Sequence, residues 1–323
     1  MNAQRVKDWL VYFFVRVAFC VIQSLRIETC DAVSKWLAFL ACDVFKLRRS
    51  VVDENLQHSF PQLSAQQRHT LARRTWEHLI LMVCEIAHVQ RKLHDTNWRN
   101  YVVFRGKREL LHYLLDPRPR VLVSGHFGNF EIASILAGAF GFHTYAVARR
   151  LDNAFLHKFV TRFRESKGQF ILEKDGSANL IADVLNSGGT LSILGDQHAG
   201  PKGCWVNFLG RPASYHKAVA LFTLSSGAPM LVITCKRIHG QPLRFEFGVE
   251  GIADPATLPD ERASVSGLTE WYNQMLEQAV YSAPEQYWWV HRRWRDAPPP
   301  RRRTKQPAPA TPTSDQQVQR PAA

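Results

Sequence analysis

The sequence predicts an α/β fold in which a mainly parallel central sheet is flanked by helices, with membrane-associated helices at the N-terminus. Three observations lead to this prediction. From about residue 121 onward, short apolar runs alternate with helix-like segments, a pattern typical of a parallel sheet covered by helices. The 323 residues are enough to bury a full core. The first 49 residues contain two strongly apolar stretches.

These two stretches are Trp9–Ile22, which an arginine interrupts, and Trp36–Ala41. Each is shorter than the roughly 20 residues that span a bilayer, and the internal arginine argues against a secretory signal. Lys46, Arg48 and Arg49 follow the second stretch. We predict two helices that lie in or dip into one leaflet, with these basic residues at the head groups. A single membrane span and a core helix of a soluble domain remain alternatives.

A long helix is predicted from about Ser64 to Val89, because Ser64 and Gln67 form a capping-box pattern at its start. Strands of the sheet are predicted at Val121–Ser124, Thr144–Ala148, Phe170–Leu172, Thr190–Leu194 and Pro229–Thr234. Helix-like runs separate them near 130–139, 154–167, 177–186 and 213–226. The late segment Leu243–Val249 alternates apolar and polar residues, which predicts an antiparallel edge strand with one wet face.

Composition changes at residue 296, where the chain becomes rich in Pro, Ala, Thr, Gln and Arg. Such a segment cannot build a core, and we predict a disordered basic tail. The predicted organisation is therefore a membrane-associated helical region at 1–49, a catalytic domain at 50–295 and the tail at 296–323.

Charge and cysteine usage limit the partners and the compartment. The 41 basic and 28 acidic residues give a formal net charge of +13, which indicates an anionic partner such as a membrane surface or an acidic carrier or substrate. Nucleic acid is disfavoured, because no nucleic-acid-binding signature is present. The six cysteines form no C-x-x-C pair, which predicts reduced thiols facing the cytosol and no zinc site.

The segment from Ser124 to Glu131 is the strongest candidate for chemistry. Gly125 and Gly128 allow a sharp turn from strand to helix, and they would let backbone N–H groups approach an oxyanion. The spacing predicts that Glu131 receives a ring N–H of His126, which leaves the other ring nitrogen free to take a hydroxyl proton. The alternative is that Glu131 only complements the helix dipole and His126 is a polar turn residue.

Other candidates follow later strands, at the sheet edge where ligands bind in such folds. Arg149 ends a predicted strand, where its guanidinium could grip a phosphate or be an ordinary surface group. Asp196 could bind sugar hydroxyls or structure the loop that follows. Phe208–Pro212 predicts a tight turn leading into a helix. The tryptophans at 288, 289 and 294 suit a membrane interface or a strand packed on the domain.

The His126–Glu131 segment resembles the H-x-x-x-x-D/E motif of the lysophospholipid acyltransferase superfamily, in the branch that acylates lipid A precursors. The likeness extends from near the N-terminus to about Arg295. Further segments that resemble this branch, in its order, are Asp53–Leu56, Ser59–Pro61, Arg73–His78, Arg149–Asn153, Gly195–Gln197, Lys202–Gly203, Phe208–Ala213, Gly227–Pro229 and Gln286–Arg293. One departure is Ala154, which replaces the proline that commonly follows the asparagine.

The resemblance implies a membrane acyltransferase that moves a fatty acyl group from acyl carrier protein or acyl-CoA to a hydroxyl of a glycolipid such as a lipid A precursor. It implies His126 as general base with Glu131, and Arg149 and Asn153 as an R-x-x-x-N binding element. It implies no cofactor and a place at the inner membrane, with the catalytic domain on the cytoplasmic face. The alternatives are another phospholipid or mannosylated phosphoinositide acceptor, and a non-catalytic protein that binds membrane surfaces.

Overall fold

The computed structural model describes residues 3–94, 96–173 and 176–295. The predicted tail at 296–323 lies outside them. The N-terminal part consists of helices: α1 (Ala3–Ser24), α2 (Ile27–Phe39), a π-helical turn (Leu40–Val44), α3 (Arg49–Ser59) and α4 (Ala65–Lys92). Helix α4 begins with the predicted capping box, since the side chains of Ser64 and Gln67 each bond the other's backbone N–H. Among the helices of the described residues, none is both long and apolar enough to cross a membrane.

Helices α1 and α2 each pack against the remainder of the fold with one face only. None of the side chains of α1 is buried, although its Tyr12 ring stacks on Phe155. The arginine that interrupts the first apolar stretch, Arg16, places its guanidinium 4.8 Å from the centre of the Phe159 ring. This internal charge is therefore accounted for by a cation–π contact.

The part of the fold that follows these helices contains a seven-stranded sheet with the order β1-β9-β8-β2-β5-β3-β4. Its strands are β1 (Val102–Arg105), β2 (Arg120–Ser124), β3 (Thr144–Ala148), β4 (Gln169–Glu173), β5 (Thr190–Leu194), β8 (Met230–Arg237) and β9 (Phe245–Ala253). The five strands from β8 to β4 are mutually parallel. The mixed, mainly parallel sheet flanked by helices confirms the α/β part of the predicted fold class.

Alternate residues of the central strands enter two separate cores. Val121 and Val123 of β2 point into the core beneath the later helices, whereas Leu122 enters the core beneath α4 and α6 (Phe130–Ala139). Strand β2 is buried along its whole length, as expected for a parallel strand covered on both faces. The other helices are α5 (Lys107–Leu114), α7 (Ala154–Glu165), α8 (Ala178–Asn186), α9 (Ala218–Ser226) and α10 (Val265–Ser282).

Two details of the predicted topology are wrong. Strand β9 is antiparallel to β8 as expected, but it is not the edge, because β1 pairs with its outer side. The segment that was predicted to run as a helix over 213–226 begins as a strand. Strands β6 (Cys204–Phe208) and β7 (Arg211–Tyr215) form an antiparallel hairpin, whose turn has left-handed backbone at Leu209 and Gly210.

Candidate active site

The turn between β2 and α6 depends on one glycine. Gly128 has a φ of +61°, and a Cβ atom there would lie 2.1 Å from the carbonyl oxygen of Cys235 on β8. No other residue fits, because both the left-handed backbone and the close approach require glycine. Asn129 then caps α6 by accepting a hydrogen bond from the backbone N–H of Ile132. The turn therefore has a fixed course, and it places His126 at the carboxyl end of β2.

His126 is bound by Asp196, which follows β5. The ring Nδ1 lies 2.7 Å from Oδ1 of Asp196, and the backbone N–H of His126 donates to Oδ2 at 2.8 Å. The carboxylate of Asp196 is almost fully buried, and the ring of His126 is 18% exposed. With Nδ1 directed at a carboxylate, Nε2 is the nitrogen left to exchange a proton with a substrate.

The electrostatics of this pair favour a charged ring. Burial lowers the pKa of His126, but the charge and hydrogen bond of Asp196, together with the charge of Glu131, outweigh burial and the net shift is upward. Burial likewise raises the pKa of Asp196, yet the hydrogen bonds and charge of His126 bring it below its ordinary value. A base whose protonated form is stabilised by a buried carboxylate is suited to accept a proton during a reaction.

The predicted hydrogen bond between His126 and Glu131 is replaced by this contact. The Glu131 carboxylate accepts two hydrogen bonds from Arg164 of α7: Nε donates to Oε2 at 3.0 Å, and Nη2 donates to Oε1. A bidentate guanidinium holds the carboxylate more firmly than a single ring N–H would. Glu131 still lies close enough to favour the protonated ring of His126, as a smaller influence than Asp196.

Both carboxylate oxygens of Asp196 bond His126, a contact that neither of its predicted roles included. The backbone N–H of Gly128 does not have the predicted role of binding an oxyanion. The N–H of Gly128 donates to the carbonyl oxygen of Gln286 at 2.9 Å, so it is already engaged. Gly125 serves a different purpose: a Cβ there would lie 3.2 Å from Oδ2 of Asp196, so its small size admits the carboxylate.

In the described part of the chain, neither Arg149 nor Asn153 forms a hydrogen bond with His126 or Asp196. The Arg149 side chain is 82% exposed and has a long contact of 3.4 Å with Asp152. Asn153 caps α7 by accepting from the backbone N–H groups of Phe155 and Leu156, and its amide donates to the carbonyl oxygen of Asp8 on α1. Asn153 is therefore a structural link between α1 and α7, whereas Arg149 projects into solvent at the end of β3.

The C-terminal segment packs on the domain. Trp289 is fully buried, Trp294 is buried, and the indole of Trp289 donates to the carbonyl oxygen of Pro284. The backbone N–H of Trp288 donates to the carbonyl oxygen of His126 at 3.0 Å, and its ring centre lies 5.3 Å from that of the His126 ring. Of the two readings of these tryptophans, packing against the domain is therefore correct for 289 and 294.

Trp288 also borders an apolar cavity of about 470 Å³, which we call the apolar groove. Its walls come from α1, α2 and α4, and its lining includes Ile22, Val33, Leu37, Trp76, Ile80 and Val290. Trp288 therefore contacts both the apolar groove and the His126 ring, and it connects the two. No local sequence pattern predicts this groove, since its walls come from segments far apart in the chain.

A separate cluster contains the side-chain types that can bind a metal ion. In the part of the chain that the structure describes, the possible ligand atoms of Cys42, Asp43 and His69 lie within 4.8 Å of one another. His69 Nε2 is 2.8 Å from Asp43 Oδ1, and Arg73 Nε is 3.9 Å from Oδ2. His69 and Arg73 both pair with the Asp43 carboxylate, so we assign the cluster to ion pairing between the π-helical turn and α4.

Several known proteins are similar to this chain over most of its length. The family model for bacterial lipid A biosynthesis acyltransferases matches residues 2–296. The chain is 24% identical over 295 residues to the lipid A biosynthesis palmitoleoyltransferase of Escherichia coli K12, covering 90% of this chain and 92% of that protein. It is 23% identical over 296 residues to the lipid A biosynthesis lauroyltransferase of the same organism, with the same coverage.

A solved structure, the 1-acyl-sn-glycerophosphate acyltransferase PlsC from Thermotoga maritima, resembles the chain with a TM-score of 0.39 and 13% identity, over 80% of this chain and 98% of that one. That likeness is too weak to support an argument. The family model, in contrast, spans the whole domain that contains His126 and Asp196. The chain belongs to the bacterial lipid A biosynthesis acyltransferase family.

Proposed function

We propose that this acyltransferase moves a fatty acyl group from an acyl thioester, carried by acyl carrier protein, to a hydroxyl of a lipid A precursor, with His126 as general base. The observation that carries the proposal is the 2.7 Å contact between His126 Nδ1 and a buried carboxylate, beside a tryptophan that also lines the apolar groove. The named relatives act in lipid A biosynthesis. The carrier protein is favoured as donor because acidic carriers suit a chain of net charge +13.

The His126–Asp196 pair allows the following course for the acyl transfer. Nε2 of His126 takes the proton of the acceptor hydroxyl as its oxygen attacks the thioester carbonyl. The tetrahedral intermediate collapses, the C–S bond breaks, and the protonated ring returns the proton to the departing thiolate. An ester and a free thiol result. Asp196 keeps the proton on Nδ1 before the reaction and stabilises the imidazolium that forms during it.

The apolar groove is the proposed site of the fatty chain. Its lining is almost wholly apolar, and burying each methylene contributes about 0.8 kcal/mol of binding free energy. A chain seated between α2 and α4 would bring its thioester past Trp288 to His126. The volume of about 470 Å³ then sets the chain length that fits best.

The surface around the groove supports attachment to a membrane. Helices α1 and α2 and the turn after them expose a set of large apolar side chains: Trp9, Phe13, Phe14, Val17, Val21, Val33, Trp36, Phe39, Val44, Phe45 and Leu47. Exposed basic residues border this set, including Lys46, Arg48 and Arg49. We place this face on the cytoplasmic surface of the inner membrane, with rings in the interface and basic groups at the phosphates.

Vesicle binding tests the attachment. Trp36→Ser combined with Phe45→Ser should weaken binding to vesicles that contain anionic lipid, even in high salt, because burial of rings is not screened. The matched control replaces two exposed leucines elsewhere, Leu115→Ser with Leu180→Ser, and should bind normally. Equal binding by both variants would contradict the proposed face.

The proposed chemistry is tested by acyl transfer to a purified lipid A precursor, with acyl carrier protein and coenzyme A thioesters compared as donors. His126→Ala should lower the rate by about 10²–10⁴-fold, the usual contribution of a general base. His112→Ala, at an exposed histidine on α5, is the matched control and should be unaffected. An active His126→Ala variant would exclude the mechanism, and transfer only to another acceptor would exclude the substrate.

A further inference from the structure

A buried ion pair lies behind the turn that carries His126. Glu85 on α4 is fully buried, and Arg237 at the end of β8 is 5% exposed. The guanidinium forms a bidentate pair of hydrogen bonds with the carboxylate: Nε donates to Oε1 at 2.7 Å, and Nη2 donates to Oε2 at 2.6 Å. A buried pair of this kind contributes little net stability over apolar residues of the same volume, so stability alone does not explain it.

Both partners of the pair reach the turn. Oε2 of Glu85 also accepts from the side-chain amide of Asn129 at 3.1 Å. Nη1 of Arg237 lies 2.9 Å from Nδ1 of His78, and His78 Nε2 lies 3.3 Å from the carbonyl oxygen of Gly128. A guanidinium only donates, so Nδ1 of His78 accepts, and its Nε2–H donates to Gly128. Burial and the Arg237 charge both lower the pKa of His78, in agreement with a neutral ring.

The backbone completes this attachment. The side-chain amide of Gln286 accepts from the N–H of Arg237 at 2.8 Å and donates to its carbonyl oxygen at 2.9 Å. The carbonyl oxygen of Gln286 accepts from the N–H of Gly128, and the N–H of Asn129 donates to Cys235 at 2.7 Å. Gly128 and Asn129 are thus held from α4, β8 and the C-terminal segment at once.

We propose that Glu85, Arg237 and His78 are positioning residues that hold His126 in register with Asp196 and the reacting hydroxyl. They touch no substrate and act through Gly128 and Asn129, which lie two and three residues after His126. Displacing a catalytic group by about 1 Å can cost on the order of 10² in rate. This inference rests on the proposed role of His126 as general base.

The test replaces the pair by apolar residues of similar volume, Glu85→Leu with Arg237→Met, so that no buried charge is left unpaired. We expect a folded protein, with kcat lowered about 10- to 100-fold and KM for the thioester unchanged. The acid limb of the pH–rate profile should also move down, because a loosened turn weakens the contact of His126 with Asp196. A folded double variant with normal kcat and pH profile would overturn the proposal.

A second experiment uses single substitutions at His78 and does not depend on the double variant. His78→Leu removes the donor to Gly128 and should lower kcat, whereas His78→Gln keeps an N–H donor and should restore much of it. His88 is the matched control: it is also a buried histidine on α4, but its ring contacts Cys30 and not the turn. Equal kcat for His78→Leu and His88→Leu would overturn the proposal. Because His126→Ala is measured beside them, a failure of the general-base role is seen separately.

Discussion

Asp196 and Glu131 approach His126 from two different elements, and they differ in what neutralises them. Asp196 follows β5, is 3% exposed, and directs both oxygens at His126. Glu131 lies in the first turn of α6, is 19% exposed, and is gripped by Arg164. The first carboxylate is available to orient and charge-balance the imidazole. The second is already balanced by a guanidinium and acts on the ring only at longer range.

The register of the sheet explains why Asp196 reaches the histidine. Strands β2 and β5 are parallel neighbours in which Ser124 pairs with Leu194, an offset of 70 residues. The same offset places the second residue after β2 beside the second residue after β5, and these are His126 and Asp196. Proximity here comes from strand pairing, whereas the proximity of His126 and Glu131 along the chain does not lead to a hydrogen bond.

The largest effect that separates the two carboxylates is expected from Asp196→Asn. The amide keeps the shape but removes the charge that stabilises the imidazolium, and its N–H₂ group can impose the wrong tautomer on the ring. We expect kcat to fall on the order of 10²–10⁴-fold, with the thermal midpoint measured alongside to confirm folding. If Asp196→Asn retained more activity than Glu131→Gln, the orienting role would belong to Glu131.

The pH dependence provides the next test. General-base catalysis needs neutral His126, so kcat/KM should rise with pH through an apparent pKa above the ordinary 6.5, because Asp196 raises the pKa of the ring. The folding stability has the opposite pH dependence. The raised pKa of His126 contributes stability at pH values below the pKa of the unfolded state, and this contribution is lost as the pH rises through the pKa of the folded state. In Asp196→Asn the acid limb should move to lower pH. A limb that stays in place would show that another group titrates.

The sequence predicts much of the fold and only part of the site, for identifiable reasons. Strands such as Thr144–Ala148 and the capping box at Ser64 are local patterns, and both are confirmed. Local patterns also place His126 on a turn and Asn129 at a helix start, as the structure does. They do not reveal which strands are neighbours, so the partner of His126 was assigned to the nearest carboxylate in the chain.

The same limit applies to the residues that the sequence did not reveal. Strand β1, Arg164 and the groove walls depend on long-range packing. Glu85 did carry a local signal, since it interrupts an apolar stretch of α4 between Cys84 and Ile86. A charged residue on a buried helix face requires a buried partner, and Arg237 is that partner. The partner itself cannot be identified without the fold.

Substitutions at Glu131 should have smaller effects than those at Asp196. Glu131→Gln leaves Arg164 without its partner and removes a negative charge near His126, so we expect a loss of about tenfold or less in kcat. Glu131→Asp keeps the charge and should retain more activity than Glu131→Gln or Glu131→Ala. Arg164→Gln is the matched variant: if it reproduces Glu131→Gln, the ion pair itself matters. If only Glu131→Gln is impaired, the carboxylate acts directly on the ring or the acceptor.

The smallest effect is expected at Arg149, the exposed cation at the end of β3. Arg149→Lys keeps the charge but loses a bidentate grip on phosphate, so KM for the acceptor should rise more than KM for the thioester. The rise should be a few-fold and should shrink in high salt, because a contact this exposed is screened by ions. Arg150→Lys is the control, since Arg150 is also exposed and lies one residue away. Equal effects of the two variants would mean that a diffuse basic surface, and not Arg149 itself, meets the acceptor.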